Sequence, residues 1–188
     1  MFSRHLLQQL ALKRVEHDPK AGLEFVLRHP GTALPHFSKK LENGAALLPL
    51  IRQLPDSAGK LHIFTRALSG LPVAEAMAAL GDPTENSTEN ARSGILRNAA
   101  KLNVEEVIAW HAQATGRSRY IAAQVIGEVL ITKDPAAALE WAKEHLSGFS
   151  RMNTIKKAAE ALSSKDPAAA EAARALLPES FKPIAPGK

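Results

Sequence analysis

The sequence predicts an all-α protein, an α-solenoid of stacked antiparallel helical hairpins with about 11–12 helices. Three observations carry this prediction. Alanine and leucine dominate the 188 residues and aromatic side chains make up 5%, a balance that favours helix because alanine and leucine lose little side-chain freedom there. A block of sequence recurs at an offset of 32 residues. Short turns marked by glycine or proline separate the apolar segments.

The internal repeat is clearest in the second half of the chain. Lys-Asp-Pro-Ala-Ala-Ala occurs at 133–138 and again at 165–170, and the same offset of 32 superposes Gly-Arg-Ser-Arg (116–119) on Gly-Phe-Ser-Arg (148–151). Two separate matches at one offset indicate a structural unit that is used more than once. Together with looser copies upstream, they predict the first helices of hairpins near 19–29, 44–54, 72–80, 104–114, 135–146 and 167–177.

Each regular repeat carries the local signals of a helical hairpin. Asp134 precedes a proline, so its carboxylate is expected to accept hydrogen bonds from backbone amides at the start of a helix. Gly116 and Gly148 are expected to end first helices in the left-handed conformation, with Ser118 and Ser150 capping the second helices. The apolar positions expected to be buried are Ala138, Leu139, Ala142 and Leu146 on a first helix, and Ile121, Val125, Ile126, Val129 and Leu130 on a second.

These signals predict one helical-repeat domain over residues 1–177, followed by a flexible tail. The repeats are regular over 103–177 and looser over 17–102, where prolines are frequent and the spacing is shorter. Residues 81–90 are polar and rich in turn formers, and are predicted to form a mobile surface loop. The tail, 178–188, contains three prolines and a glycine and is expected to fray.

The repeat motif resembles a known group of proteins. Asp-Pro-x-Ala-Ala-Leu-x-Trp-Ala (134–142), a Gly-x-Ser-Arg turn and an alanine-rich second helix that closes on Ser-Lys-Asp-Pro (164–167) are similar to bacterial short helical-hairpin repeats of the broad tetratricopeptide/HEAT-like solenoid group. The likeness covers 100–188 well and 17–100 loosely. The period is 31–32 residues, so the chain departs from the 34-residue tetratricopeptide pattern. The resemblance implies a binding scaffold whose shared residues are structural.

Composition and motifs argue against several kinds of chemistry. The chain contains no cysteine, which excludes disulfides, zinc–thiolate sites and a thiol nucleophile. Phosphate loops, dinucleotide fingerprints and nucleophile elbows do not occur. The seven histidines include no pair spaced three or four residues apart, as helical metal ligands are. We therefore expect a chain that is not an enzyme, with no catalytic residue, no metal and no cofactor.

The start of the chain gives an expectation about location. Residues 1–16 lack the continuous apolar stretch of a secretory signal and have the spacing of an amphipathic helix. No stretch in the sequence approaches the 18 or so consecutive apolar residues that span a bilayer. A cytoplasmic location without a membrane span is therefore the expectation.

Charged residues supply the candidate binding positions. The net charge is +5, and residues 1–66 account for all of it, with ten Lys/Arg against five Asp/Glu. Arg119 and Arg151 occupy equivalent repeat positions, which predicts a row of arginines along one edge, although a merely solvated surface explains them too. The candidate partner-binding residues are Arg97, Arg117, Arg119, Arg151, Lys156 and Lys157.

Two functions remain open at this point. The first is a non-catalytic protein-interaction scaffold or adaptor that binds another protein on the solenoid surface. The alternative is a basic HEAT-like nucleic-acid-binding module, which could act in DNA repair. Trp110 and Trp141 hold equivalent repeat positions, which favours packing between helices over an exposed pair that stacks bases.

Overall fold

The all-α class is confirmed by a computed structural model of the chain. The structure describes residues 4–29, 41, 44–55, 57–81 and 86–181. These residues form eleven α-helices and one 3-10 turn, with no strand among them. The chain divides into two compact units, Met1–Asn98 and Ala99–Lys188.

The first unit is built on contacts between successive helices. Its helices are α1 (Arg4–His17), α2 (Pro19–Arg28), α3 (Gly44–Gln53), α4 (Ala58–Leu68), α5 (Val73–Leu80) and α6 (Asn86–Leu102), the last of which extends into the second unit. Helix α2 packs against both α1 and α3, and α3 packs against α4. Leu23, Ile51 and Ile63 are fully buried in a common core, so one large aliphatic side chain from each of α2, α3 and α4 holds these helices together.

The second unit contains the residues that the sequence predicts to form the regular repeats. Its helices are α7 (Val104–Gln113), α8 (Gly116–Lys133), α9 (Pro135–His145), α10 (Gly148–Leu162) and α11 (Pro167–Ala175), followed by the 3-10 turn Glu179–Phe181. Each α-helix packs against the next, and α8 also contacts α10. All the apolar positions predicted to be buried on α8 and α9 are buried. All of them are alanine or branched aliphatic residues, which pack densely in a protein interior.

The predicted first helices are present as α2, α3, α5, α7, α9 and α11, with ends that differ from prediction by about two residues at most. The first residues of these helices could be predicted because side-chain caps mark them. The carboxylate of Asp134 accepts hydrogen bonds from the amides of Ala136 and Ala137 at 3.1 Å. The side chains of Asp18, Asn103 and Asp166 cap α2, α7 and α11 in the same way. Each such cap contributes about 1 kcal/mol.

The prediction for the turns between paired helices is partly wrong. Gly116 and Gly148 do adopt left-handed conformations, with φ of 54° and 52°. They begin the second helices, however, while the preceding first helices end three residues earlier, at Gln113 and His145. Ser118 and Ser150 therefore lie inside the first turns of α8 and α10 and are not N-caps. The flanking Thr115 takes the N-cap position of α8 without a side-chain hydrogen bond.

Two segments predicted to be irregular contain helix. Helix α6 begins at Asn86, so the loop predicted over 81–90 is wrong for its second half, while 82–85 lie outside the described residues. Ala91 and Ile95 are buried, and this apolar stripe continues the helix in spite of weak local propensity. The tail prediction is corrected at 179–181, where a 3-10 turn places the Phe181 ring 5.8 Å from that of Phe149. Residues 182–188 lie outside the described residues.

Candidate functional site

The start of α8 and the start of α10 lie together in the second unit. The two helices are in contact, and the hydroxyl groups of Tyr120 and Ser150 are 3.3 Å apart. The Gln124 amide donates a hydrogen bond to the same Ser150 oxygen. Because Ser150 follows the turn glycine of α10 by two residues, these bonds fix the two helix starts side by side.

The first turns of α8 and α10 carry three arginines and two exposed aromatic rings. We call these two turns the α8–α10 edge and define it by Arg117, Arg119, Tyr120, Phe149 and Arg151. Phe149 is 70% exposed and Tyr120 is 38% exposed. The Arg117 guanidinium lies over the Tyr120 ring, with its carbon 5.7 Å from the ring centre, a distance at which a cation and an aromatic face attract.

Arg119 and Arg151 are the repeat-equivalent pair within the α8–α10 edge. Both side chains are exposed. Neither forms a side-chain hydrogen bond or an ion pair with any residue that the structure describes. Their positive charges are thus not neutralised by described parts of the fold. A guanidinium in that state has donors for a carboxylate or a phosphate of a partner.

The other candidate residues lie elsewhere. Lys156 and Lys157 are on α10, five and six residues beyond Arg151. At about 100° per residue they are rotated roughly 140° and 120° from Arg151 around the helix axis, so they do not extend the arginine row. Arg97 is half-buried on α6 in the first unit. A role of these three residues in partner binding stays a prediction.

A second cluster, which the sequence did not reveal, joins α7, α8 and α9. The Trp141 indole nitrogen donates a hydrogen bond to the carbonyl of Ala123 at 2.9 Å. Its ring lies 3.9 Å from the ring of His145 and 5.1 Å from that of His111. The predicted role of Trp141 in packing between helices is therefore confirmed. Trp110 is half-buried and has no ring contact or side-chain hydrogen bond with the described residues.

The environment of His111 disfavours its charged form. Its side chain is buried, with 4% exposed. Burial lowers the pKa of His111, and electrostatic interactions with His145 and with the Arg119 guanidinium lower it further. Glu144 also belongs to this neighbourhood, since its carboxylate is 3.6 Å from the His145 ring nitrogen. His111 is thus held neutral inside the cluster.

We expect the chain to lose stability on acidification because of His111. The folded chain resists a proton that the unfolded chain accepts at the ordinary pKa of 6.5. The free energy of unfolding that neutral His111 contributes is therefore complete above this value and is lost as the pH falls through the lower, folded pKa. Urea unfolding of wild type and His111→Gln between about pH 5 and pH 8 measures this slope.

The slope should be smaller in His111→Gln than in wild type, because glutamine does not titrate. His17→Gln serves as the control, since His17 is exposed on α1. An unchanged slope in His111→Gln would show that other groups cause the acid destabilisation.

Sequence reasoning missed both contacts that organise this region. His111 and His145 are 34 residues apart, and Tyr120 and Ser150 are 30 apart. Both separations are close to the repeat offset of 32. The repeat length itself was therefore the available signal, because residues one repeat apart occupy neighbouring positions when hairpins pack side by side.

The described residues contain no group of three or more His, Cys, Asp or Glu side chains arranged to hold a metal ion. Within the described part of the chain, no helix is long and apolar enough to cross a lipid bilayer. Comparison of the chain with protein-family models, with curated proteins and with solved structures gives no match.

Proposed function

We propose that this chain is a non-catalytic protein-interaction scaffold, and that the repeats of its second unit stack as a short α-solenoid of the tetratricopeptide/HEAT-like kind. The contact of α8 with α10 supports the stacking, because it joins the second helices of two successive hairpins. A cytoplasmic location is part of the proposal. Such repeats present a surface on which a protein partner binds.

The α8–α10 edge is the observation that carries the proposal. Arginine and aromatic residues are enriched in protein interfaces, where they supply most of the binding energy. Here three arginines and two exposed aromatic rings lie at the starts of two adjacent helices. Large aromatic side chains left 38–70% exposed in the same helix turns as Arg119 and Arg151, which form no ion pair with a described residue, are more typical of a contact surface than of an inert one.

The same surface also favours a second candidate, the nucleic-acid-binding module. Proteins that bind single strands combine positive charge with aromatic rings on which bases stack. The Arg117–Tyr120 pair is of this kind, although the excess positive charge of the chain lies in residues 1–66 and not at this surface. A role in DNA repair belongs to this alternative.

Two binding assays on the full chain separate the candidates. In the first, a display library of random 16-residue peptides is selected against the immobilised chain. In the second, the chain is titrated with a random-sequence duplex and a single strand at about 50 and 200 mM salt, because phosphate-dominated affinity falls by orders of magnitude over this range. We expect enriched peptides that bind with Kd values of about 1–100 µM and no nucleic-acid binding at either salt concentration.

The outcomes decide between the two functions. Tight nucleic-acid binding at the lower salt concentration with a steep decline at the higher one would replace the scaffold by the nucleic-acid module. Repeated selections that enrich no peptide would also overturn the scaffold. Enriched peptides without nucleic-acid binding support it.

A further inference from the structure

We infer that the contact of α7 with α8 and α9 is an acid-sensitive joint, in which protonation of His111 releases α7 while α8, α9 and α10 stay packed together. This change is built into the fold and does not depend on the proposed scaffold function. It is a local event, distinct from the loss of overall stability on acidification, because one helix opens while the rest of the second unit stays folded.

Within the second unit, α7 is attached differently from the helices that follow it. It packs chiefly against α8, whereas α8, α9 and α10 each pack against the other two. The link from α7 to α9 is made by rings, since the ring of His111 lies 5.1 Å from that of Trp141 and 5.1 Å from that of His145. A helix held by one neighbour and a ring cluster opens at a lower free energy than helices of a mutually packed group.

The buried side of α7 contains a residue that titrates. Val104, Val107 and His111 lie three and four residues apart and form the buried stripe of this helix. The buried stripe of α9 is apolar and consists of Pro135, Ala138, Leu139 and Ala142. From residue 99 to residue 181, which the structure describes throughout, His111 is the one buried side chain that titrates. Protonation of a buried group in the second unit therefore acts on α7.

The closed joint accommodates a proton on His111 poorly. The side chain is 4% exposed and forms no hydrogen bond with a described residue. The charged ring carries two N–H donors, which would both lack an acceptor among these residues. The groups that shift its pKa from the packed helices are His145 on α9 and Arg119 on α8, and both lower it. Charging His111 is therefore favourable only after α7 has moved into water.

The acidic residues of this region do not compensate the charge. Glu144 on α9 has its carboxylate 3.6 Å from the Nε2 atom of His145, so it accompanies that ring. Glu105 and Glu106 of α7 lie in its first turn, rotated about 120° and 140° from His111 around the helix axis. None of the groups that shift the pKa of His111 is a carboxylate.

The release of α7 should follow the protonation of one histidine. The opened helix accepts a proton at the ordinary pKa of 6.5, which the closed joint resists. The population of opened α7 therefore rises by up to about tenfold for each pH unit below this value, and levels off below the pKa of the closed form. Above 6.5 His111 is neutral in both forms, so the population of opened α7 should not depend on pH.

Amide hydrogen exchange of the full chain at about pH 7.5 and about pH 5.5 measures the opening of each helix. Protection factors, which correct for the effect of pH on the exchange chemistry, are compared between the last two turns of α7 and the interior of α10. We expect α7 to be at least about tenfold less protected than α10 at both pH values. The protection of α7 should fall about five- to tenfold between the higher and the lower pH.

Variants of the histidines identify the residue that responds. His111→Gln and His111→Leu remove the titrating ring with a polar and an apolar replacement, so that one variant serves if the other does not fold. In either one, the protection of α7 should change less than about twofold between the two pH values. His145→Gln keeps His111 and should reduce the response without abolishing it. His17→Gln, at an exposed position of α1, should keep the wild-type response.

Three results would overturn the acid-sensitive joint. Equal protection of α7 and α10 at both pH values would show that α7 opens only together with the rest of the unit. Protection of α7 that does not fall on acidification would show that no titrating group controls its opening. A response that persists in both His111 variants would assign the control to another residue. Low protection of α7 that falls on acidification only when His111 is present supports the joint.

Discussion

Gly44→Ala is expected to destabilise the first unit by about 3 kcal/mol, near the upper end for adding one methyl group to a packed interior. A β-carbon at Gly44 would lie 2.3 Å from the carbonyl oxygen of Ala67 and 2.6 Å from its α-carbon. These are backbone atoms of α4, and they move only if the two helices separate. Separation would in turn loosen the buried core to which Ile51 and Ile63 both belong.

Gly94→Ala is the matched control because it makes the same substitution in a helix of the same unit. Its β-carbon would meet the Thr65 methyl group at 3.3 Å and no backbone atom within 4 Å. The better helix propensity of alanine, worth about 1 kcal/mol, offsets the small adjustment of this methyl group. We expect its stability to remain within about 1 kcal/mol of wild type.

Urea unfolding followed by circular dichroism measures both variants, and amide hydrogen exchange in α3 and α4 locates the change. Equal stabilities of Gly44→Ala and Gly94→Ala would contradict the close approach of α3 and α4.

Local signals made much of the fold predictable. The Asp134 cap depends on atoms within three residues of the chain, so it can be recognised from the sequence alone. Burial of Leu139 and Ala142 follows from helical periodicity in the same way. These features do not depend on how distant segments meet, and for that reason the six predicted first helices agree with the structure.

The local sequence alone does not determine where a helix begins when two start positions are possible. Both Gly116 and Ser118 were compatible with the boundary between α7 and α8, and the left-handed glycine proved to belong to the second helix. At Asn86 the polar residues suggested a loop, but burial of Ile95 and Leu96 further along α6 supports a longer helix.

The candidate site was only partly predictable, for a related reason. The repeat placed Arg119 and Arg151 in equivalent positions, which suggested that they share an edge. The sequence did not show that Tyr120 bonds to Ser150 or that Phe149 stays exposed. These properties depend on the angle and depth at which α8 packs against α10. The contacting residues are 30 apart in the chain, so short-range sequence patterns do not determine this packing geometry.

Sequence equivalence also differs from structural equivalence at the two tryptophans. Trp110 and Trp141 occupy the same position in successive repeats, which predicts the same role for both. In the structure only Trp141 contacts histidine rings and bonds to the backbone of the preceding helix. The difference lies in the neighbours, because His145 follows Trp141 by four residues and thus stacks on it along α9, whereas Ala114 follows Trp110 at the same distance.

Trp141→Ala is accordingly expected to lower the free energy of unfolding by about 3 kcal/mol, the lower end of the range for removing a tryptophan from a core. The lower end applies because the side chain is only half-buried. The substitution removes the ring contacts with His111 and His145 and the hydrogen bond to the Ala123 carbonyl. Trp141→Phe keeps most of the ring contacts and loses the hydrogen bond, which should cost about 1 kcal/mol.

Trp110→Ala is the control that the repeat provides, and we expect it to cost roughly half as much as Trp141→Ala, because Trp110 has no ring contact or side-chain hydrogen bond with described residues. Urea unfolding of the three variants measures these differences.

Trp141→Ala should also expose His111 to water, which reduces the desolvation that lowers the pKa of His111. The Trp141→Ala variant should therefore lose less free energy of unfolding on acidification than wild type does. In Trp110→Ala the free energy of unfolding should depend on pH as it does in wild type. Equal losses of stability in the two alanine variants, together with equal pH slopes, would show that Trp141 does not organise the contact between α7, α8 and α9.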